Sequence, residues 1–130
     1  MNFALLVLSA PDAGYGARHA QQFARTTLAQ GHQIARIFFL DAGTRCGGLS
    51  PVLPQDEIKP VDGWVELRQQ HDIDLVLCVS SALRQGMLNA EEAARYERPG
   101  ATIHEAFRIG GLGEWVEAAG QADRVVTFGG

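Results

Sequence analysis

A parallel α/β fold is predicted for this 130-residue chain from three observations. Residues 2–9, Asn-Phe-Ala-Leu-Leu-Val-Leu-Ser, are a continuous apolar run too short for a lone helix and suited to a strand buried on both faces. Ala17, Ala20, Phe23, Ala24, Thr27 and Leu28 then recur at helical spacing, with Gly31 as a stop signal. Gln33 to Leu40 (QIARIFFL) is a second strand-like run, and a strand–helix–strand order requires a parallel pair joined by a right-handed crossover.

The remaining elements follow in order. Residues 41–60 break every period with Gly43, Gly47, Gly48, Pro51, Pro54 and Pro60, which predicts a long loop. Val61 to His71, carrying Trp64, Val65 and Leu67, reads as a helix, and Ile73 to Cys78 as the third strand. Ser80 or Ser81 is expected to cap a short helix ended by Gly86, and Asn89 with Glu92 has capping-box spacing for another. Thr102 to Ile109 reads as a fourth strand diluted by His104, Glu105 and Arg108. Gly110 to Gly113 precede a helix over Glu114 to Ala122, and Arg124 to Phe128 closes the order as a strand. With no internal repeat, linker or low-complexity tract, residues 1–130 are read as one domain.

Composition narrows the function classes. Hydrophobic residues at 46% and charged residues at 20% are globular values, too apolar for a disordered segment. A net charge of −4 with no run of lysine or arginine offers phosphate backbones no footprint, so no direct nucleic-acid partner is expected. No apolar stretch reaches the roughly 18 residues of a membrane span, and no basic region precedes the first apolar run, so a cytoplasmic location is expected. The cysteines, Cys46 and Cys78, lie far apart in the sequence and in a reducing compartment argue against a structural disulfide.

The candidate site is Cys78, in Leu75-Val76-Leu77-Cys78-Val79-Ser80-Ser81-Ala82-Leu83-Arg84-Gln85-Gly86. It stands where an apolar run stops and a helix start begins. In open parallel sheets the reactive crevice lies outside the carboxyl ends of the strands, and a helix start there offers unpaired N–H groups that favour a thiolate. Two readings are open at this point: an exposed, ionised nucleophile, or a small hydrophobe packed at the end of a core strand.

The Cys78 segment resembles the TusD/DsrE family of cytoplasmic sulfurtransferase subunits, in which a strand ending in cysteine runs into small residues, Ala-Leu-Arg and a glycine. Collinear matches extend the resemblance over nearly the whole chain: Pro11, Gly16, Gln22-Phe23-Ala24, Gly31-His32, Phe38-Phe39, Asp56-Glu57, Gly111-Leu112-Gly113 and Asp123-Arg124-Val125-Val126. Arg84-Gln85 departs from the two arginines common before that glycine, and Cys46 has no counterpart in the pattern.

The resemblance implies a three-layer α/β/α domain with a five-stranded, mainly parallel sheet. It further implies a cysteine that receives sulfane sulfur as a persulfide from one small carrier protein and passes it to another, serving tRNA 2-thiouridine synthesis in TusD-like members and sulfur oxidation in DsrE-like ones. Such subunits join homologous partners in a hexamer of paired trimers; self-association is the other assembly considered. Cys78 is then the expected catalytic residue, with Val79, Ser80 and Ser81 as thiolate-stabilising neighbours. Arg84 either adds charge or is simply solvated, and Cys46 is either an accessory thiol or a solvated loop residue. The relay requires no metal or organic cofactor.

Other motifs have plainer readings. His19, His32, His71 and His104 lack metal-ligand spacing. Gly14-Tyr15-Gly16 lacks the full dinucleotide or Walker pattern and reads as a turn. Trp64 and Trp115 suit core packing, and Asp56 and Glu57 suit a solvated loop. The competing functions are a flavodoxin-like module holding a nucleotide or flavin at the same strand ends, and a scaffold subunit with Cys78 merely packed.

Overall fold

A computed structural model describes residues 1–129. Five strands, β1 (Asn2–Val7), β2 (Gln33–Phe39), β3 (Leu75–Cys78), β4 (Phe107–Gly110) and β5 (Arg124–Phe128), alternate with helices α1 (Gly16–Ala29), α2 (Pro60–His71), α3 (Val79–Arg84), α4 (Ala90–Arg95) and α5 (Leu112–Gln121). The sheet order is β4-β3-β2-β1-β5, and every pairing is parallel rather than most of them. The chain steps from β1 to β4 in one direction, then crosses back to lay β5 beside β1. Because crossovers are right-handed, that reversal changes face. Helices α1 and α2 pack together on one side, and α5 packs across β2 on the other. The result is the three-layer α/β/α sandwich, with one layer supplied by α5.

Alternate strand residues divide between two cores, as the pleat requires. Leu5, Val7, Ile37, Phe39, Leu75, Leu77 and Phe107 belong to the larger core, where Trp64 is fully buried and stands edge-on to Phe39 with ring centroids 5.0 Å apart. Phe38, Val76 and Cys78 form the smaller core, against Leu6, Leu40 and Trp115. Each large apolar side chain so buried contributes roughly 1.5–3 kcal/mol, which makes the α1/α2 side the principal source of stability.

Local chemistry sets the element ends. Gly31 at φ 86° and Gly86 at φ 74° adopt the left-handed conformation after α1 and α3; His32 N–H then reaches the Thr27 carbonyl and Met87 N–H the Ala82 carbonyl, a Schellman pattern in both. Pro60 opens α2 at a position where its missing N–H costs nothing. Asn89 Oδ1 accepts the Glu92 N–H at 2.8 Å, as the capping-box spacing predicts.

Three expectations are corrected. Neither Ser80 nor Ser81 caps α3, because the strand runs directly into the helix and Cys78 itself occupies the cap position. Residues 41–60 are not loop throughout: Asp41–Gly47 forms a 3-10 turn in which Thr44 Oγ1 donates to the Asp41 carbonyl at 2.8 Å. Glycine at position 43 allows that turn to lie against the Val7 backbone, where a Cβ would collide. The fourth strand begins at Phe107 rather than Thr102. Thr102 is bonded instead to Leu49 and Leu88, and Ile103 bridges Gly48 in antiparallel sense, so this stretch pins the 3-10 turn rather than extending the sheet.

Candidate thiol site

Cys78 belongs to both β3 and α3. Its backbone is extended, at φ −61° and ψ 125°, and Val79, Ser80 and Ser81 are the first three residues of the helix. A side chain in that position faces the unpaired N–H groups of the first turn. No N–H makes a side-chain capping bond to the sulfur. Its hydrogen-bond partner is Ser80 Oγ, 3.6 Å from Sγ. Burial pushes the thiol up, but the Ser81 and Ser80 hydrogen bonds together outweigh burial and hold Cys78 below the ordinary thiol value.

The expectation of an exposed thiol is corrected, since Cys78 is only 3% exposed. It occupies an even position of β3, facing α5, and so is packed with Phe38 and Val76 beneath Leu6, Leu40 and Trp115. Those three residues are themselves only partly buried, so this smaller core reaches the surface. Val79 beside the sulfur is half-buried and Ser80 is exposed. Arg84 is exposed at the far end of α3, in keeping with the solvated reading.

Cys46 is not a solvated loop residue. It is 1% exposed in the larger core, and its Sγ lies 3.6 Å from the Ser9 carbonyl as donor. Burial pushes its thiol up to about 12, only partly offset by the Trp64 indole N–H and the Arg45 charge. Both cysteines are free thiols, and they sit in separate cores on opposite faces of the sheet. A disulfide between them would require the sheet to come apart, so Cys46 is not placed to resolve a persulfide on Cys78.

The other motifs settle into structural roles. Gly16 opens α1 where a Cβ would press on Ser9 and the Gly129 carbonyl, so its glycine serves close packing of α1 on the strand ends. Trp64 lies in the larger core, and Trp115 lies beside Phe38 in the smaller one with ring centroids 6.2 Å apart. Among the described residues, no three His, Cys, Asp or Glu side chains come together in a way that would hold a metal ion. No helix among them is long and apolar enough to cross a membrane. Asp56 and Glu57 are exposed.

Three features near the thiol are absent from the sequence reading. Gly110 is the register partner of Cys78 across the β3–β4 pair. Arg36 and Arg108 clamp Asp74 at 2.7 and 2.9 Å, while Arg108 also pairs with Glu114 and Arg36 donates to the Glu114 carbonyl, which fastens the start of α5 to the sheet. Asp41 donates its backbone N–H to Ser81 Oγ at 3.0 Å, joining the 3-10 turn to α3. Apart from the Arg108–Glu114 pair, these links join residues tens of positions apart, which no local pattern in the sequence reveals.

A thiol held below its ordinary value at the carboxyl end of an interior parallel strand is suited to cysteine chemistry. Comparison with known proteins gives that class its family. The family model described as DsrE/DsrF-like matches residues 1–128, and the chain belongs to that family. It is 43% identical over its full length to a protein of Pseudomonas aeruginosa named sulfurtransferase TusD homolog, covering 98% of that protein. It is 42% identical over 99% of its length to one of Allochromatium vinosum named putative sulfurtransferase DsrE, again covering 99% of it. Among solved structures, the ychN protein from E. coli shares the fold with a TM-score of 0.76 at 17% identity, covering 98% of this chain and 99% of that one.

Proposed function

We propose that this chain is a sulfurtransferase subunit of a cytoplasmic sulfur relay, acting as a single domain and carrying sulfur on Cys78. The observation that carries the reading is the Cys78 sulfur at the start of α3, in contact with Ser80 Oγ at 3.6 Å and held below the ordinary thiol value, in a chain whose relatives bear the name sulfurtransferase.

In this reading the Cys78 thiolate attacks the terminal sulfur of a persulfide on a small carrier protein. A new S–S bond forms to Cys78 as the donor's S–S bond breaks, and the donor leaves as its thiolate. The exchange is redox-neutral, so it consumes no oxidant or reductant. A second carrier's thiolate then takes the terminal sulfur by the same step in reverse. The Ser80 and Ser81 groups stabilise the Cys78 thiolate when it is the attacking and the leaving group. Access is by displacement of the partly buried Leu6, Leu40 and Trp115 that border this core, which a docked carrier accomplishes. Homologous subunits are the partners proposed to complete the assembly.

Incubation with a low-molecular-weight persulfide donor, followed by intact mass, tests the reading. One added sulfur atom is expected on the native chain and on Cys46→Ala, and none on Cys78→Ser. Retention of the adduct in a folded Cys78→Ser variant would sink it.

A further inference from the structure

Between the 3-10 turn and α2 the chain holds two aliphatic side chains almost free in water: Val52 is 93% exposed and Ile58 87%. Single exposed aliphatics are ordinary, but two on one short segment mark a contact surface. The segment is stiff, because Pro51, Pro54 and Pro60 fix their own backbone angles and the Glu57 N–H closes a turn on the Pro54 carbonyl at 3.0 Å. Asp56 and Glu57 are exposed beside Ile58. Residues 52–58 therefore present apolar knobs flanked by negative charge, held in place before any partner arrives.

The complement of that segment lies beside it. A cavity of about 550 Å³ opens there, with Leu49, Leu53, Val61 and Met87 in its apolar lining. Pro11, Lys59, Pro60 and Asp62 border both this cavity and an adjoining groove of about 480 Å³ along α1 and α2, where Arg18, Arg25 and Lys59 outnumber Asp62 and Glu66. None of these three cations is in an ion pair among the described residues. A small molecule in the cavity would leave Val52 and Ile58 in water, whereas a surface shaped and charged like residues 52–58 fills cavity and groove together.

We infer that a second copy of this chain docks here about a twofold axis: the 52–58 segment of each copy enters the cavity of the other, with Asp56 and Glu57 meeting Arg18 and Arg25 across the pair. A knob and a hole on one patch are what such a pair requires, since every contact is then made twice. Charge favours a second copy over an unrelated partner, because the patch carries both signs, acid on the projecting segment and base in the receiving groove. The cavity lies on the side of the larger core, to which its wall residues Cys46 and Val61 belong, whereas Cys78 belongs to the smaller core on the other face of the sheet. Pairing of this kind leaves the thiol face open.

Sedimentation velocity of the purified chain over a concentration series is the test. The native chain is expected to pass from single copies to pairs as concentration rises. Val52→Asp and Ile58→Asp, both at exposed positions and so compatible with folding, are each expected to raise the dissociation constant about tenfold or more. Asp56→Arg/Glu57→Arg and Arg18→Glu/Arg25→Glu are each expected to stay single, yet an equimolar mixture of the two should pair, because each segment then meets a groove of opposite charge. Val116→Asp, at an exposed position of α5, should pair as the native chain does. A native chain that stays single throughout, a pair that Val52→Asp and Ile58→Asp leave intact, loss of pairing in folded Val116→Asp, or a mixture no more associated than its components overturns the proposal. No sulfur donor enters these measurements, so their outcome and that of the relay are read separately.

Discussion

Gly110 stands beside Cys78 in the parallel β3–β4 pairing, and the space its side chain would fill is occupied by the Glu114 carboxylate and by Val76. A Cβ there would lie 2.8 Å from Val76 Cγ1, and Val76 is fully buried with a stiff, branched side chain. Glu114 is no freer to move, because Arg108 holds it. The glycine therefore lets the first turn of α5 sit down on the strand next to the thiol.

Gly110→Ala is accordingly expected to destabilise the chain by about 1–3 kcal/mol through overpacking. Urea unfolding measures this. Since α5 carries Trp115 against the core that contains Cys78, the same variant is expected to alkylate faster at Cys78 while folded. Gly113→Ala makes the control: its added methyl meets open space, so stability should stay within about 0.5 kcal/mol of native or rise, as glycine within a helix is unfavourable relative to alanine.

Asp74 gives the fold an acid limit. Burial raises its carboxyl, but the Arg108 and Arg36 hydrogen bonds and charges outweigh burial and hold it below the ordinary value of 3.8. A group depressed in the folded state contributes stability above its unfolded value and loses it as pH falls through the folded one. Stability should thus fall as the solution is acidified through and below that ordinary value. Asp74→Asn is expected to cost about 1–2 kcal/mol at neutral pH, a figure kept low by the half-exposed Arg108, and to flatten the acid limb. Thermal unfolding across an acid series checks both; a Tm profile parallel to native would refute the assignment.

Cys46 acts at the other end of the scale. The native thiol resists ionisation until about 12, whereas the unfolded one ionises near 9.0. Rising pH therefore favours the unfolded chain between those two values, by the linkage sign for a raised group. Cys46→Ala is expected to remove this alkaline slope while costing about 1–2 kcal/mol for the lost packing. Native protein should show negligible alkylation at Cys46 and ready alkylation in urea.

The sequence made the sheet readable where local patterns decide it. The apolar runs of β1 and β2, the helical spacing of α1 and the stop at Gly31 all depend on neighbours a few residues away. The depth of Cys78 was hidden for the same reason that β3 was easy to find. Leu75, Val76, Leu77 and Cys78 are all buried, so no alternation marks which face the sulfur takes. Cys46 was misread because glycines signal loops in sequence, whereas Gly43 and Gly47 here permit a tight turn pressed on Val7 and Phe107. The Asp41–Ser81 bond and the Arg36–Asp74–Arg108–Glu114 cluster are products of topology, which brings together residues that no local window contains.

Trp115 borders the core that holds the thiol. Its ring packs against Phe38 and, with Leu6 and Leu40, lies between that core and solvent, beside a sulfur held below its ordinary thiol value. Ionisation and access are separable, because the donors come from α3 whereas Trp115 comes from α5. Trp115→Ala should therefore raise the plateau rate of Cys78 alkylation several-fold and leave its pH midpoint in place. Its stability cost should fall below the roughly 3–5 kcal/mol of a fully buried tryptophan, because Trp115 is only partly buried. Fully buried Trp64 is the internal comparison: Trp64→Phe should cost stability through the larger core and leave the Cys78 rate unchanged. A shifted midpoint in Trp115→Ala would mean that the ring tunes the sulfur's charge as well as its exposure, and an unchanged plateau would mean that the route to the thiol lies past Val79 and Ser80 instead.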